Sequence, residues 1–153
     1  MTREQPTTPS APTDTQLEPP DLQQYRAMHH AIRTSNQRLV SALVDLQRSP
    51  RQSAIPALQR WVAGYCQELR NHHHIEDTIF FPALAARVPS YADYAKVLDD
   101  DHHQLETLVE QIDVTVEQLT GATSPREQQL ATALMRAIEL RDLMSVHLDV
   151  EDR

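Results

Sequence analysis

Histidines and glutamates at helical spacing are the residues of this chain with the clearest capacity for chemistry. The motif His-x-x-x-Glu occurs at His72–Glu76 and at His147–Glu151, and further histidine groups lie in other segments. Residues four apart on a helix share one face, so an imidazole and a carboxylate there can hold one metal ion. Four such groups on four helices could hold two ions. The principal candidates are His29, His72, Glu76, His102, His147 and Glu151.

Four segments with helical periodicity must position these residues. Their predicted bounds are Asp21 to about Gln47, Ser53 to past Phe81, Ser90 to Gly121, and Ser124 to the chain end. Ser90 and Ser124 are predicted N-caps, and Gly121 is a natural residue just after a helix. Short connections make neighbouring helices antiparallel, so the sequence predicts an all-α, up-down-up-down four-helix bundle.

The histidine groups lie at one level of this predicted bundle. Each is about 18 to 22 residues from the end that holds the first and third connections, which corresponds to roughly 27 to 33 Å along the axis. Randomly placed histidines would rarely fall within a slab one helical turn thick. We therefore predict a single shared site.

Composition limits the partners of the protein. The formal net charge of the 153 residues is −8, which argues against nucleic acid and anionic membranes as partners. No apolar run approaches the roughly 20 residues of a membrane span. With one cysteine, Cys66, and no pattern of a secretion signal, we expect a cytoplasmic protein.

Residues 1–20 differ in composition from the rest. They are rich in Pro, Thr and Gln and contain almost no large apolar residues. Such a segment cannot bury enough surface to offset the entropy lost on ordering, so we predict a disordered tail. The bundle is predicted to comprise residues 21–153.

The types of side chain available as ligands limit which metals the site could bind. Imidazole suits Fe, Cu, Zn and Ni, and carboxylates suit harder ions. The absence of paired thiols argues against cysteine-type zinc and iron–sulfur sites. A structural zinc needs four ligands and this level offers more, so two ions bridged by Glu76 and Glu151 use the donors better.

Three stretches of the sequence resemble the hemerythrin-like (HHE cation-binding) proteins, in particular the bacterial branch with an H-HxxxE-H-HxxxE pattern. The resemblance spans about residues 21–153 and is carried by Met28–Arg33, His72–Pro82 and Asp101–Leu105. It implies an oxo- or hydroxo-bridged di-iron centre, with two Fe ions, that binds O2, peroxide or NO. The implied terminal ligands are His29, His72, His102 and His147, the implied bridges are Glu76 and Glu151, and His73 is an additional ligand.

The chain departs from the oxygen-carrying members of that family in two places. Glu106 stands where they have a second histidine, and Glu151 follows His147 at four residues where they have a more distant aspartate. A site with more carboxylate favours redox turnover over reversible oxygen carriage. Glu151 also lies close to the last residue, where a helix is expected to fray.

Tyr25 lies one turn before His29 and could donate to a bound oxygen species or pack in the core.

Three classes of function stay open. One is an oxidoreductase of the catalase or NO-peroxidase type, which takes H2O2 or NO, draws on an unidentified reductant and acts in oxidative or nitrosative stress defence. The other is a non-catalytic protein for oxygen or iron binding, sensing or storage. An interaction bundle with incidental metal affinity is the third alternative.

Overall fold

The computed structural model describes residues 22–119 and 123–152, and these residues form helices without strands. The helices are α1 (Leu22–Arg48), α2 (Ile55–Ile75), α3 (Phe81–Arg87), α4 (Tyr91–Glu117) and α5 (Thr123–Glu151). A 3-10 turn at Gln52–Ala54 leads into α2, and a π-helical segment at Glu76–Phe80 joins α2 to α3. The predicted all-α four-helix bundle is confirmed. The predicted tail, residues 1–20, lies outside the described residues.

Helices that pack against each other run antiparallel. The start of α1 meets the end of α5, where the His29 ring contacts Asp152. The start of α2 meets the end of α4, where Gln59 donates to the Glu117 carbonyl. Helix α5 packs against both α1 and α4, and α2 packs against α4, while α1 and α2 make few contacts. The weak α1–α2 contact leaves a gap between these helices, which reaches the functional site.

An apolar core fills the part of the bundle on one side of the histidine level. Cys66 belongs to this core and is 1% exposed, and burial raises the pKa of its thiol to about 12. The thiol is therefore protonated and unreactive at neutral pH. The largest fully buried apolar members are Leu39, Leu43, Leu69, Leu105, Ile112, Leu140, Met144 and Leu148.

Helix α4, the third of the four helices predicted from the sequence, ends earlier than expected. It stops at Glu117, not at Gly121, which lies outside the described residues. The Gln59 side chain donates to the carbonyls of Val116, Glu117 and Leu119, so a residue of α2 satisfies carbonyls that the helix end leaves unpaired. A long-range contact therefore fixes this helix end.

Of the two predicted N-caps, Ser90 and Ser124, only the side chain of Ser90 can be compared with the structure. Ser90 was expected to cap α4 with its side chain, but it makes no such hydrogen bond and has helical backbone angles. The Tyr91 N–H instead bonds to the Val88 carbonyl in a tight turn. Helix α5 begins at Thr123, one residue before the predicted start, and the side chain of Ser124 lies outside the described residues.

Candidate metal centre

A π-helical segment places the first glutamate of the site. The Phe81 N–H bonds to the carbonyl of Glu76, five residues earlier. Pro82 has no N–H to give the carbonyl of Thr78, and its ring would clash with that carbonyl, so regular α-helical pairing cannot pass this point. The extra residue in the turn changes the direction of the following side chains. Such bulges are frequent at functional sites.

The structure brings all of the predicted ligands to one level. They come from all four helices of the bundle. Their side chains are buried, and the His72 side chain is the most exposed at 9%. The set is His29 on α1, His72 and His73 on α2, Glu76 on the π segment, His102 on α4, and His147 and Glu151 on α5.

The donor atoms form two clusters that share the glutamates. One contains His29, His72, Glu76 and Glu151, with donor atoms within 4.8 Å of one another. Its Nε2 atoms lie 3.6 Å (His29) and 3.3 Å (His72) from Glu76 Oε1. Donors bound to one ion at about 2.1 Å lie roughly 3 to 4 Å apart, so this spacing fits one metal ion.

The second cluster lies on the other side of the same carboxylates. His102 Nε2 is 3.5 Å from Glu76 Oε2, and His147 Nε2 is 3.1 Å from Glu151 Oε1. His73 joins both histidines in this cluster, its ring stacked on His102 at 4.2 Å. Each glutamate therefore turns one oxygen toward each cluster, as bridging carboxylates do between two ions.

Most of the buried donor atoms have no hydrogen-bond partner. His29 Nε2, His72 Nε2 and both nitrogens of His73 have no hydrogen bond, and the same holds for Glu76 Oε2 and both oxygens of Glu151. Leaving such a group unsatisfied costs about 1–3 kcal/mol. A metal ion would satisfy these atoms, and nitrogen and carboxylate donors suit iron, so the residues present fit a di-iron group.

Burial keeps two of the histidines neutral. It lowers the pKa of His73 to about 2, with the neighbouring histidines adding to the effect, and it also lowers the pKa of His72. For His29, burial acts in the same direction, but Glu76 and Asp152 outweigh it and raise the pKa. Neutral imidazoles such as those of His72 and His73 present the lone pairs that metal binding requires.

Glu76 and Glu151 each have an aspartate beside them in the sequence, and a further aspartate precedes His102. Each aspartate faces a histidine on a different helix. Asp77 Oδ1 lies 2.8 Å from His102 Nδ1, and Asp152 Oδ1 lies 2.8 Å from His29 Nδ1. Carboxylates in this position orient a ligand imidazole and raise its basicity.

Asp152 and Asp101 are not among the site residues predicted from the sequence. Asp101 is partly exposed but lies 3.5 Å from His147 Nδ1. The overlooked pattern was an aspartate adjacent to each of three predicted ligands.

The end of α5 is anchored, although the sequence predicts fraying there. Arg33 on α1 forms ion pairs with Asp149 at 2.8 Å and with Asp152 at 2.9 Å. The Glu151 side chain between them is 1% exposed. These ion pairs hold the last turn of α5 against α1 on both sides of Glu151.

We expect Asp152→Ala to weaken metal binding about 10- to 100-fold, because His29 loses the carboxylate that holds its ring. The affinity can be measured by competition with a metal chelator. Asp142→Ala is the matched control, since Asp142 is exposed and pairs only locally with Arg141. Equal affinities for the two variants would contradict the orienting role.

Several titratable neighbours remain outside the cluster. His30, His74, His103 and Glu106 are all exposed. Tyr25, in contrast, donates its hydroxyl to Glu76 Oε1 at 2.7 Å and stacks on Phe80 at 4.5 Å. Burial, with the charges of Glu76 and Glu151, raises the Tyr25 pKa far above its usual value, so this phenol stays protonated.

Comparison with known proteins assigns the chain to a family. The sequence model described as "Hemerythrin HHE cation binding domain" matches residues 21–153. The chain therefore belongs to this family, and the resemblance inferred from its motifs is confirmed. Comparisons with curated proteins and with solved structures gave no significant match.

Family membership establishes a cation-binding domain. The clusters of histidine and glutamate described above are where this domain could hold its cation. Among the described residues, no helix is both long enough and apolar enough to cross a membrane.

Proposed function

We propose that this protein binds two iron ions and uses them in redox reactions with O2, peroxide or NO, in defence against oxidative and nitrosative stress. The observation that carries the proposal is the arrangement of Glu76 and Glu151, each with one oxygen toward each histidine cluster. A bound iron pair supplies the electrons and the Lewis acidity for such reactions.

The ligand residues would divide into two unequal sets. His29 and His72 would hold one ion, whereas His73, His102 and His147 would hold the other, and both glutamates would serve both ions. The two-histidine side therefore has fewer protein donors, which favours it as the side where a small molecule reacts.

The position of a surface pocket also favours the two-histidine cluster as the place where a small molecule reacts. A pocket between α1 and α2 ends at His72 and Glu76. Tyr25 also lines this pocket and places a protonated hydroxyl at its inner end. A substrate oxygen that arrives there would meet a hydrogen-bond donor beside the two-histidine cluster.

The first experiment is metal analysis of protein reconstituted with ferrous iron without oxygen and then exposed to air. The proposal expects about two irons per chain and the charge-transfer absorption of a bridged ferric pair. One zinc per chain, or no metal, would contradict it. Peroxide consumption, assayed with and without NO, then separates redox turnover from carriage or storage.

We expect Tyr25→Phe to keep its iron and to consume peroxide roughly tenfold more slowly or worse. The substituted ring can still stack on Phe80, while the hydrogen-bond donor beside Glu76 is lost. Steady-state peroxide consumption per iron is the measurement, and Tyr94→Phe, at a largely exposed tyrosine, is the control. Wild-type turnover in Tyr25→Phe would remove Tyr25 from the mechanism.

A further inference from the structure

Arg33 connects the end of α5 to His29, one of the predicted metal ligands. It lies four residues after His29 on α1, so both side chains are on the same face of that helix. Its Nη2 atom lies 2.8 Å from Asp149 Oδ1 and 2.9 Å from Asp152 Oδ2. The other oxygen of Asp152, Oδ1, lies 2.8 Å from His29 Nδ1. One carboxylate is therefore held between a guanidinium and an imidazole, with one oxygen toward each.

The contact with Asp152 decides which nitrogen of His29 can bind a metal. An imidazole Nδ1–H that donates to a carboxylate leaves the lone pair on Nε2. His29 Nε2 lies 3.6 Å from Glu76 Oε1 and 3.6 Å from Glu151 Oε2, and it has no hydrogen-bond partner. The carboxylate of Asp152 therefore has to stay in place for His29 to present Nε2 to the two-histidine cluster.

Asp152 is the orienting aspartate that most needs a second contact. Asp77 lies in the π-helical segment between α2 and α3, and Asp101 lies inside α4, so helical turns continue on both sides of each. Asp152 instead follows Glu151, the last residue of α5, and its side chain is 28% exposed. A carboxylate in this position could turn toward water, and the ion pair with Arg33 opposes that rotation.

We propose that Arg33 is a positioning residue of the metal centre. It holds Asp152 against His29 Nδ1 and thereby keeps His29 Nε2 directed at the ion of the two-histidine cluster. The proposal rests on the part of the proposed function that places an ion at this cluster, and it is independent of the reaction that follows. The ion pair of Arg33 with Asp149, in contrast, involves no predicted ligand. The two contacts of Arg33 can therefore be separated by mutation.

The direct readout is the exchange of the His29 Nδ1 proton with water. It is measured by proton NMR on the full-length protein loaded with Co2+, whose unpaired electrons shift the resonances of ligand protons away from the others. Asp152→Ala, which removes the acceptor, identifies the resonance. Because the hydrogen bond to Asp152 protects this proton, Arg33→Met should raise its exchange rate about fivefold or more. Methionine keeps an unbranched aliphatic side chain and cannot donate to Asp152.

Two controls separate positioning from a general loosening of the bundle. Asp149→Asn removes the other ion pair of Arg33 and should leave the exchange at His29 unchanged. His102 Nδ1 lies 2.8 Å from Asp77 Oδ1 and serves as an internal reference, since its exchange should not respond to Arg33→Met. A wild-type exchange rate at His29 in Arg33→Met, or equal acceleration at His29 and His102, would overturn the proposal.

Metal affinity gives a second readout when the net charge is matched. Removal of a guanidinium alone would strengthen cation binding electrostatically, so Arg33→Met is combined with Asp149→Asn. This double variant should bind one of its Co2+ ions about three- to tenfold more weakly in competition with a chelator. The control, Arg136→Met combined with Glu139→Gln, removes an exposed ion pair of α5 and should bind cobalt as the wild type does. Equal affinities for the two double variants would contradict the proposal.

The dependence on Asp152 distinguishes this route from any other action of Arg33. In an Asp152→Ala background, the combined Arg33→Met and Asp149→Asn substitutions should weaken cobalt binding no further, because the carboxylate through which Arg33 acts is gone. A further loss of affinity would show that Arg33 acts on the site by another route.

Failure of this proposal and failure of the proposed function give different results. A protein that holds an iron pair, but in which the exchange at His29 does not respond to Arg33→Met, contradicts only the role of Arg33. A protein that binds cobalt and shows these effects, yet holds no iron pair, supports the role of Arg33 and contradicts the proposed function.

Discussion

His73→Phe is expected to stabilise the metal-free protein and to abolish binding at the three-histidine cluster. The His73 ring is fully buried, neither nitrogen has a hydrogen-bond partner, and burial lowers its pKa to about 2. Phenylalanine keeps the stack on His102 and removes the unsatisfied polar atoms. The gain should be about 1–3 kcal/mol in the free energy of unfolding.

Urea unfolding of metal-free protein measures this gain. The matched control is His74→Phe, because His74 is the exposed neighbour of His73 and should change stability by less than about 0.5 kcal/mol. With iron in excess, we expect the wild-type protein to be more stable than His73→Phe. A ligand at a hundred times its Kd adds about 2.7 kcal/mol to the protein that binds it, and the variant loses this contribution at one cluster.

The opposite result would indicate that His73 packs in the core and is not a metal ligand. If His73→Phe destabilises the metal-free protein and leaves the iron content intact, His73 is a packing residue of the core. Such a result would leave His102 and His147 as the histidines of that cluster. A joint loss of stability and iron would show that the larger ring does not fit, and His73→Leu then replaces it in the same comparison.

Counting along helices predicts the level of the site because an α-helix is stiff and rises a fixed 1.5 Å per residue. His29 and His147 are far apart in sequence, yet their helices carry them to the same level. Burial of His73 beside the exposed His74 likewise follows from helical geometry, since adjacent residues point about 100° apart.

Contacts between helices could not be predicted in this way. The end of α4 is set by Gln59 of another helix, and the end of α5 by Arg33. No periodicity encodes such pairs. The π segment before Pro82 was also missed, although a proline after a histidine-rich helical turn indicates where the regular hydrogen-bond pattern must fail.

The pocket was the least predictable part of the site. It lies between α1 and α2, where α1 packs mainly on α5 and makes few contacts with α2. Amphipathic patterns report which face of a helix is buried and do not report the distance to each neighbour. Met28 and Ile75 therefore resemble ordinary surface residues until the structure places both in the lining of one pocket.

Glu76→Gln is expected to remove iron from both clusters. The substitution keeps the shape of the side chain and an oxygen that can accept from Tyr25, but it removes a charge that both clusters share. Unit charges 4 Å apart interact by about 4 kcal/mol at an effective dielectric constant of 20, which corresponds to roughly a thousandfold in affinity. Iron per chain after desalting should fall from about two to well below one.

Two control variants test whether the loss of iron arises because Glu76 serves both ions. Glu106→Gln removes a charge from an exposed glutamate and should keep wild-type iron, while His29→Gln removes a donor from one cluster only and should keep about one iron per chain. If Glu76→Gln also keeps one iron, Glu76 serves a single ion. The distances of 3.3 Å from its Oε1 to His72 and 3.5 Å from its Oε2 to His102 would then describe packing around one metal. Loss of both irons, with helical content and thermal unfolding preserved, would require the two clusters to act as one centre.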